Sequence, residues 1–337
     1  VSERYSRQEL FNGIGSSGQQ DLRSARILIV GCGALGSAQA ESLGRAGVGS
    51  LRIVDRDFVE TSNLQRQTMF TESDADQRLP KAVAAANHLR EINSEVQVEP
   101  LVADVTHTNI ERLITDCDLV LDGTDNFATR FLINDACVKH KVNWIYGAAV
   151  GSYGLTMTVR PHQTACLRCV FEEMPEAGGP TCDTAGVIMP IINVVAAMQV
   201  TEAIKLITGQ LDALHNSLLQ FDVWQNQFRT VSAERAEDCK TCGQEIFETL
   251  NAESAESAAI LCGRDAIQIS PSRPTTLNLA SLAQRLRDLG EVKLNEYLLR
   301  FRTDKYELTI FKDARSIIRG TDQIAIARSL YAKFIGI

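Results

Sequence analysis

Arg26-Ile27-Leu28-Ile29-Val30 runs directly into Gly31-Cys32-Gly33-Ala34-Leu35-Gly36, and a helix-like stretch follows to about Ala46. A short apolar run closed by glycines and continued by helical periodicity reads as strand, turn and helix. In that context glycines let backbone amides and a helix N-terminus approach phosphate oxygens, so the segment predicts a nucleotide site. Outward from it come a strand at Leu51 to Val54, a helix at Pro80 to about Ile92, and strands near Val96 to Val98 and Leu119 to Leu121. Short strands alternating with helices imply an open, largely parallel α/β sheet. A helix follows at Ile133 to His140, then strands at Trp144 to Ala149 and Leu155 to Val159, where Pro161 follows and the sheet is expected to turn antiparallel. Pro190 to Thr208 reads as a buried helix, with proline at an early position and Gly209 as its stop.

At 337 residues, 45% hydrophobic and 23% charged, the chain is long enough for one large domain and a small one. No run approaches the roughly 18 apolar residues of a membrane span, and Val1 to Tyr5 carries no apolar signal segment. The expectation is a cytoplasmic protein. A net charge of -8 argues against nucleic acid as the main partner. Nine cysteines in such a chain point to reduced thiols, and hence to metal ligands rather than disulfides.

Asp55 closes the second strand, where a carboxylate accepts hydrogen bonds from ribose hydroxyls. An NAD-dependent dehydrogenase fits equally well to this point. Asn63-Leu64-Gln65-Arg66-Gln67, Pro80-Lys81 and Asp122-Gly123-Thr124-Asp125-Asn126 then add two cations and a carboxylate. A pyrophosphate needs little beyond the helix amides, whereas a triphosphate losing pyrophosphate calls for Arg, Lys and a carboxylate-held metal. Taken singly, Arg66 reads as a surface ion pair, Lys81 as a solvated helix residue and Asp125 as a cap; together they favour ATP.

The chain from about Arg4 to Cys242 resembles the MoeB/ThiF/HesA family of ubiquitin-activating-enzyme-like adenylyltransferases. The matching segments are Arg4 to Gln8, Gly31 to Gly36, Asp55-Arg56-Asp57, Ser62 to Gln67, Asp122 to Asn126, Cys182 to Val187 and two cysteine pairs. The resemblance implies a Rossmann-like sheet that is parallel and then antiparallel. It implies a nucleotide site of Gly31, Gly33, Gly36, Asp55, Asp57, Asn63, Arg66, Lys81 and Asp125. Asp125 would lie beside Mg2+ and the α-phosphate, and Arg7 would reach across a homodimer interface into the neighbour's site. The reaction implied is adenylation of the C-terminal glycine of a ubiquitin-like sulfur carrier ending in Gly-Gly. A sulfurtransferase or cysteine desulfurase would act after it.

Cys166-Leu167-Arg168-Cys169 and Cys239-Lys240-Thr241-Cys242 offer four thiolates, a full tetrahedral set for a structural Zn2+. Their separation of about seventy residues is no obstacle, because closure entropy grows slowly with loop length. Cys182 follows Gly178-Gly179-Pro180-Thr181 in an expected crossing loop over the carrier tail. It is either a sulfur-transfer or thioester cysteine, or a small loop residue without a covalent role.

The domain reading is 1–248 for adenylation, 249–260 for a linker, and 261–337 for a small α+β domain. The last contains strands at Ala266 to Ile269, around Glu296 to Arg302 and at Tyr306 to Phe311, and helices at Leu279 to Leu289 and from Thr321. Its Cys262-Gly263-Arg264-Asp265 and Ile318-Arg319-Gly320-Thr321 resemble the tail of some bacterial ThiF-like proteins. That tilts the carrier toward the ThiS type of thiazole biosynthesis over the MoaD type of molybdopterin biosynthesis.

Overall fold

The computed structural model describes residues 3–174, 182–251, 258–261, 266–271 and 275–336. The chain forms two compact units, Val1–Ala252 and Glu253–Ile337.

The first unit is built on eight strands: β1 (Arg26–Val30), β2 (Ser50–Asp55), β3 (Gln97–Val102), β4 (Leu119–Asp122), β5 (Asn143–Val150), β6 (Tyr153–Val159), β7 (Ser217–Asp222) and β8 (Gln227–Ser232). Their order is β3-β2-β1-β4-β5-β6-β7-β8. Pairing is parallel from β3 to β5 and antiparallel from β5 to β8, as the sequence led us to expect. In β1, Ile27 and Ile29 pack in one core with residues of the helices Ala34–Ala46 and Lys81–Ile92, while Leu28 and Val30 enter another with the helix Phe127–His140. Burial on both faces is why the strand reads as an unbroken apolar run.

The helix after β4 begins at Phe127, six residues before the expected Ile133. Asn126 caps it by accepting the Thr129 amide at 2.9 Å. Thr129 and Arg130 interrupt the apolar period, and Arg130 is 5% exposed because it pairs inward with Asp122. The helix Met189–Ile207 carries proline in its first turn and ends before Gly209, which takes φ +71°. It is the one helix among the described residues long and apolar enough to cross a membrane; Ile191, Ile192, Val195 and Ala196 bury it in a core of its own unit. The hairpin β7–β8 left little sequence signal, because every residue of β8 is exposed and no alternation marks the strand.

The second unit holds β9 (Ala258–Leu261), β10 (Ala266–Ile269), β11 (Glu291–Leu294), β12 (Leu298–Arg302), β13 (Glu307–Phe311) and β14 (Ser316–Arg319). They form one antiparallel sheet in the order β11-β12-β13-β14-β10-β9. Helices Leu279–Leu286 and Ile324–Phe334 contribute Leu282, Leu286 and Phe334 to a core with Ile267, Phe301, Leu308 and Ile310. β9 starts at Ala258, inside the stretch read as linker; its pairing with β10 supplies an order that small residues do not advertise. At the other end of that stretch Thr249 is held by Asp135 of the first unit.

Candidate nucleotide and metal sites

Register sets the geometry of the nucleotide site. Val30 lies opposite Val54 on β2 and opposite Asp122 on β4, so Gly31, Asp55 and Gly123 emerge level at the carboxyl edge. The chain turns one way from β1 to β2 and the other way to β4, the switch point at which open α/β sheets bind ligands. Gly31 takes φ +87°, and a Cβ there would stand 2.8 Å from the Gly123 carbonyl oxygen. A Cβ on Gly36 would strike the Gly31 carbonyl, and one on Gly123 would strike Gly31 and Gly36. The three glycines therefore interlock the two loops, and only glycine permits that approach. Gly33 is the N-cap of the helix Ala34–Ala46, whose first amides face the turn.

Asp55, 9% exposed, is anchored at this edge: its Oδ2 accepts the Cys32 amide at 2.6 Å and its Oδ1 the Asp57 amide at 2.6 Å, with lone pairs to spare. Burial pushes its carboxyl up from the ordinary range, and Lys81 opposes that most strongly. Lys81, 4% exposed, places Nζ 3.3 Å from Asp57 Oδ2, while its amide donates to the Asp57 carbonyl at 2.9 Å. Cys32 is a packing residue, its thiol pushed far up by burial.

Asn63 is 1% exposed and acts locally, accepting the Glu60 amide in a capping box. Arg66 donates to the Ser62 carbonyl at 3.0 Å and meets no carboxylate among the described residues. Gln67, quoted within the same motif but given no role, is 3% exposed with Oε1 buried and unpaired; its Nε2 lies 3.9 Å from a Cβ built on Gly33.

Beyond β4, Asp122 is fully buried. Its Oδ2 accepts Arg130 Nε at 3.1 Å, and its Oδ1 accepts the Thr124 amide and hydroxyl at 2.8 and 2.7 Å. Arg130 also donates to the carbonyls of Thr124 at 2.7 Å and Gly147 at 3.1 Å. Burial raises the Asp122 carboxyl and Arg130 holds it back. This lock fixes the loop that presents Asp125, which is exposed and lies in the field of Arg56 and Arg130. Gln39 and Gln199 secure the same loop from behind, both donating to the Asp122 carbonyl at 2.9 and 3.0 Å. Sequence reasoning missed Arg130, Gln39 and Gln199; Arg130, eight residues after Asp122, was the readable clue.

Arg7 is not part of this cluster. It is exposed on the short helix Ser6–Glu9, where Gln8 donates to the Ala46 carbonyl at 3.0 Å and the Tyr5 ring abuts Gly47. Those contacts lie at the far end of the helix whose beginning forms the phosphate turn, about 20 Å away for thirteen residues. An arginine does not span that distance.

The four expected metal ligands do meet. Cys166 and Cys169 sulfurs are 3.8 Å apart, Cys166 and Cys239 3.6 Å, and Cys169 and Cys242 3.4 Å, with all four within 4.8 Å of one another. A tetrahedron of sulfurs at Zn–S of about 2.3 Å has edges of about 3.8 Å. The donor set and spacing fit. Around them, Thr241 donates to Asp135 at 2.8 Å, Thr249 does so at 2.7 Å, and Arg168 reaches Thr241 at 3.2 Å. Both knuckles are thereby tied to the helix Phe127–His140.

Cys182 begins the helical turn Cys182–Ala185, but its side chain, Gly178 to Thr181 and Cys262 to Asp265 lie outside the described residues. After that turn, the Gly186 carbonyl accepts the Gly151 amide at 2.8 Å.

An interlocked glycine turn at a sheet's switch point, with an acid closing the next strand, defines a nucleotide-binding α/β protein. Comparison with known proteins narrows that class: the ThiF family model matches residues 5–241, and the chain belongs to the ThiF family. It is 50% identical over 339 aligned positions, covering all of both chains, to the sulfur carrier protein ThiS adenylyltransferase of Bacillus subtilis (strain 168). It is 39% identical to the molybdopterin-synthase adenylyltransferase of Escherichia coli (strain K12), over 72% of this chain and 96% of that one. Among solved structures, E. coli MccB with MccA-N7isoASN aligns at a TM-score of 0.65 and 23% identity, over 72% of this chain and 76% of the other, a likeness of fold.

Proposed function

We propose that this chain is an ATP-dependent adenylyltransferase that activates the C-terminal glycine carboxylate of a ubiquitin-like sulfur carrier of the ThiS type. The observation that carries the reading is the level array at the carboxyl edge, where the glycine cradle, Asp55, the Lys81–Asp57 pair and the Asp125 loop share one end of the sheet. The choice of a ThiS carrier over a MoaD one is supported by full-length similarity to the Bacillus subtilis enzyme, which extends through the second unit.

In this reading the helix amides behind Gly33 and the cations of Arg66 and Lys81 hold the phosphates, and Asp55 holds the ribose. Gln67 places its Nε2 donor beside the Gly33 turn, where it would face the phosphates. The carrier's carboxylate, already ionised at neutral pH, attacks the α-phosphate in line and pyrophosphate leaves. Asp125 presents an exposed oxygen ligand of the kind Mg2+ takes, and the ion would neutralise developing phosphate charge. Fixed charges aimed at the transferring group do the rest. Zn2+ would sit among Cys166, Cys169, Cys239 and Cys242 as a structural ion with no open position.

Arg7 acts, in this reading, from the second subunit of a homodimer, since its own nucleotide site lies a helix length away. Leu10 and Phe11, 71% and 65% exposed beside it, are apolar surface that a second copy would cover. Trp224 and Phe228, 73% and 64% exposed on the β7–β8 hairpin, are apolar surface that the carrier would cover. A sulfurtransferase or cysteine desulfurase would convert the adenylate in the cytoplasm. The test is mass spectrometry of a Gly-Gly carrier incubated with enzyme, ATP and magnesium. A carrier bearing AMP supports the reading; an unmodified carrier with folded, dimeric enzyme rejects it.

A further inference from the structure

The register that brings Gly31 and Asp55 level also places Arg56 and Asp104. Asp55 lies opposite Val102, so Arg56 stands beside Ala103 and Asp104 follows one residue beyond. Across the sheet edge the order is then β4 and β1 for phosphate, β2 for ribose, and β3 next outward, each strand about 4.8 Å from its neighbour. A nucleotide laid along that edge brings its base to the end of β3. There residues 101–107 are all half-buried, with Ala103 and Val105 packed on the core as an apolar shelf.

Arg56 and Asp104 border that shelf. Arg56 Nη1 lies 3.3 and 3.4 Å from the two Asp104 oxygens, a long, forked contact between side chains 29% and 25% exposed. Carboxylates of Asp104, Asp57, Asp125 and Asp55 keep the guanidinium charged against the cost of its burial. The loop is held in place by Asn109, which donates to the Asp104 carbonyl at 2.7 Å and accepts the Thr106 amide at 2.9 Å. A carboxylate and a guanidinium held in this rigid setting beside an apolar shelf suit recognition.

We propose that Arg56 and Asp104 read the purine base of ATP, Asp104 accepting the adenine N6 amino group and Arg56 donating to N7. The inference rests on the ATP-dependent reading above. Adenine offers a donor at position 6 and an acceptor at N7, whereas a 6-oxo purine offers acceptors at both. An ionised carboxylate only accepts and a guanidinium only donates. Asp104 therefore selects the 6-amino purine, and Arg56 adds affinity without discriminating at position 6.

The test is calorimetric titration of the full-length protein with ATP, with inosine triphosphate, which has oxygen in place of the N6 amino group, and with 7-deaza-ATP, which lacks N7. The wild type should bind ATP roughly ten- to a hundredfold tighter than inosine triphosphate, and 7-deaza-ATP should also bind more weakly than ATP. Asp104→Asn, whose amide can donate to O6, should collapse the first ratio; Arg56→Met, which keeps no donor, should remove the penalty of 7-deaza-ATP and keep the first. Equal affinity of wild type for ATP and inosine triphosphate overturns the proposal while leaving the ATP site standing, and needs no variant to fold. An unchanged ratio in Asp104→Asn of wild-type melting temperature overturns it too. Failure to bind any of the three nucleotides would overturn the underlying ATP reading as well.

Discussion

Replacing Arg130 with methionine keeps much of its volume and removes every charge and donor that holds the Asp122 loop. Asp122 has no exposed surface, so the change leaves a buried carboxylate without its counter-ion, and the carbonyls of Thr124 and Gly147 without a donor. Breaking a buried pair in this way costs about 3–5 kcal/mol. For a unit of this size each kcal/mol lowers Tm by about 2–4 °C, giving a fall of roughly 6–20 °C by calorimetry. The pH dependence carries the diagnosis. Burial already raises the Asp122 carboxyl above its ordinary 3.8, and Arg130 is the strongest opposing influence. Without it the folded state binds the proton still more readily than the unfolded one, so the variant gains stability as pH falls from its raised folded value toward 3.8. The gap to wild type should be smaller at about pH 5 than at about pH 8. Asp122→Asn combined with Arg130→Met should recover part of the loss, because no charge is then stranded. An unchanged Tm, or a gap that widens on acidification, would refute the reasoning.

The cysteine cluster predicts one zinc per chain by elemental analysis, with Cys166→Ser melting well below wild type; folded, metal-free wild type would contradict it. Arg7→Ala and Asp125→Ala should each be nearly inactive alone, yet a mixture should regain activity, since subunit exchange builds one site with both residues intact. No recovery after demonstrated exchange would place Arg7 outside the site. Cys182→Ala should keep carrier adenylation, measured as AMP transferred, even if sulfur transfer is lost. Loss of adenylation in folded protein would put that cysteine in the first step instead.

Most of the first unit was legible because its physics is local. β1 is buried on both faces and so reads as an apolar run, and the glycines that follow are forced by contacts among Gly31, Gly36 and Gly123. The four cysteines were legible by spacing alone, since the same short interval recurs in each pair. What escaped depends on partners distant in sequence. Arg130 looks like a surface cation until Asp122 and Gly147 are seen around it. Gln39 and Gln199, 160 residues apart, are ordinary helix residues until both donate to one carbonyl. β8 escaped for the opposite reason: an exposed edge strand has no buried face to impose a pattern. Asn63 shows a third limit, since its side chain serves a local cap whatever it does for a nucleotide.

The central claim is reversible adenylation of a carrier carboxylate, and exchange of labelled pyrophosphate into ATP tests it most directly. With magnesium and a Gly-Gly carrier the enzyme should support exchange, and it should not do so without the carrier or with one lacking its last glycine, whose carboxylate would fall short of the α-phosphate. Asp125→Ala and Arg66→Ala should each lower the rate by about a hundredfold or more. Exchange that proceeds without carrier, or that survives Asp125→Ala undiminished, would contradict the account.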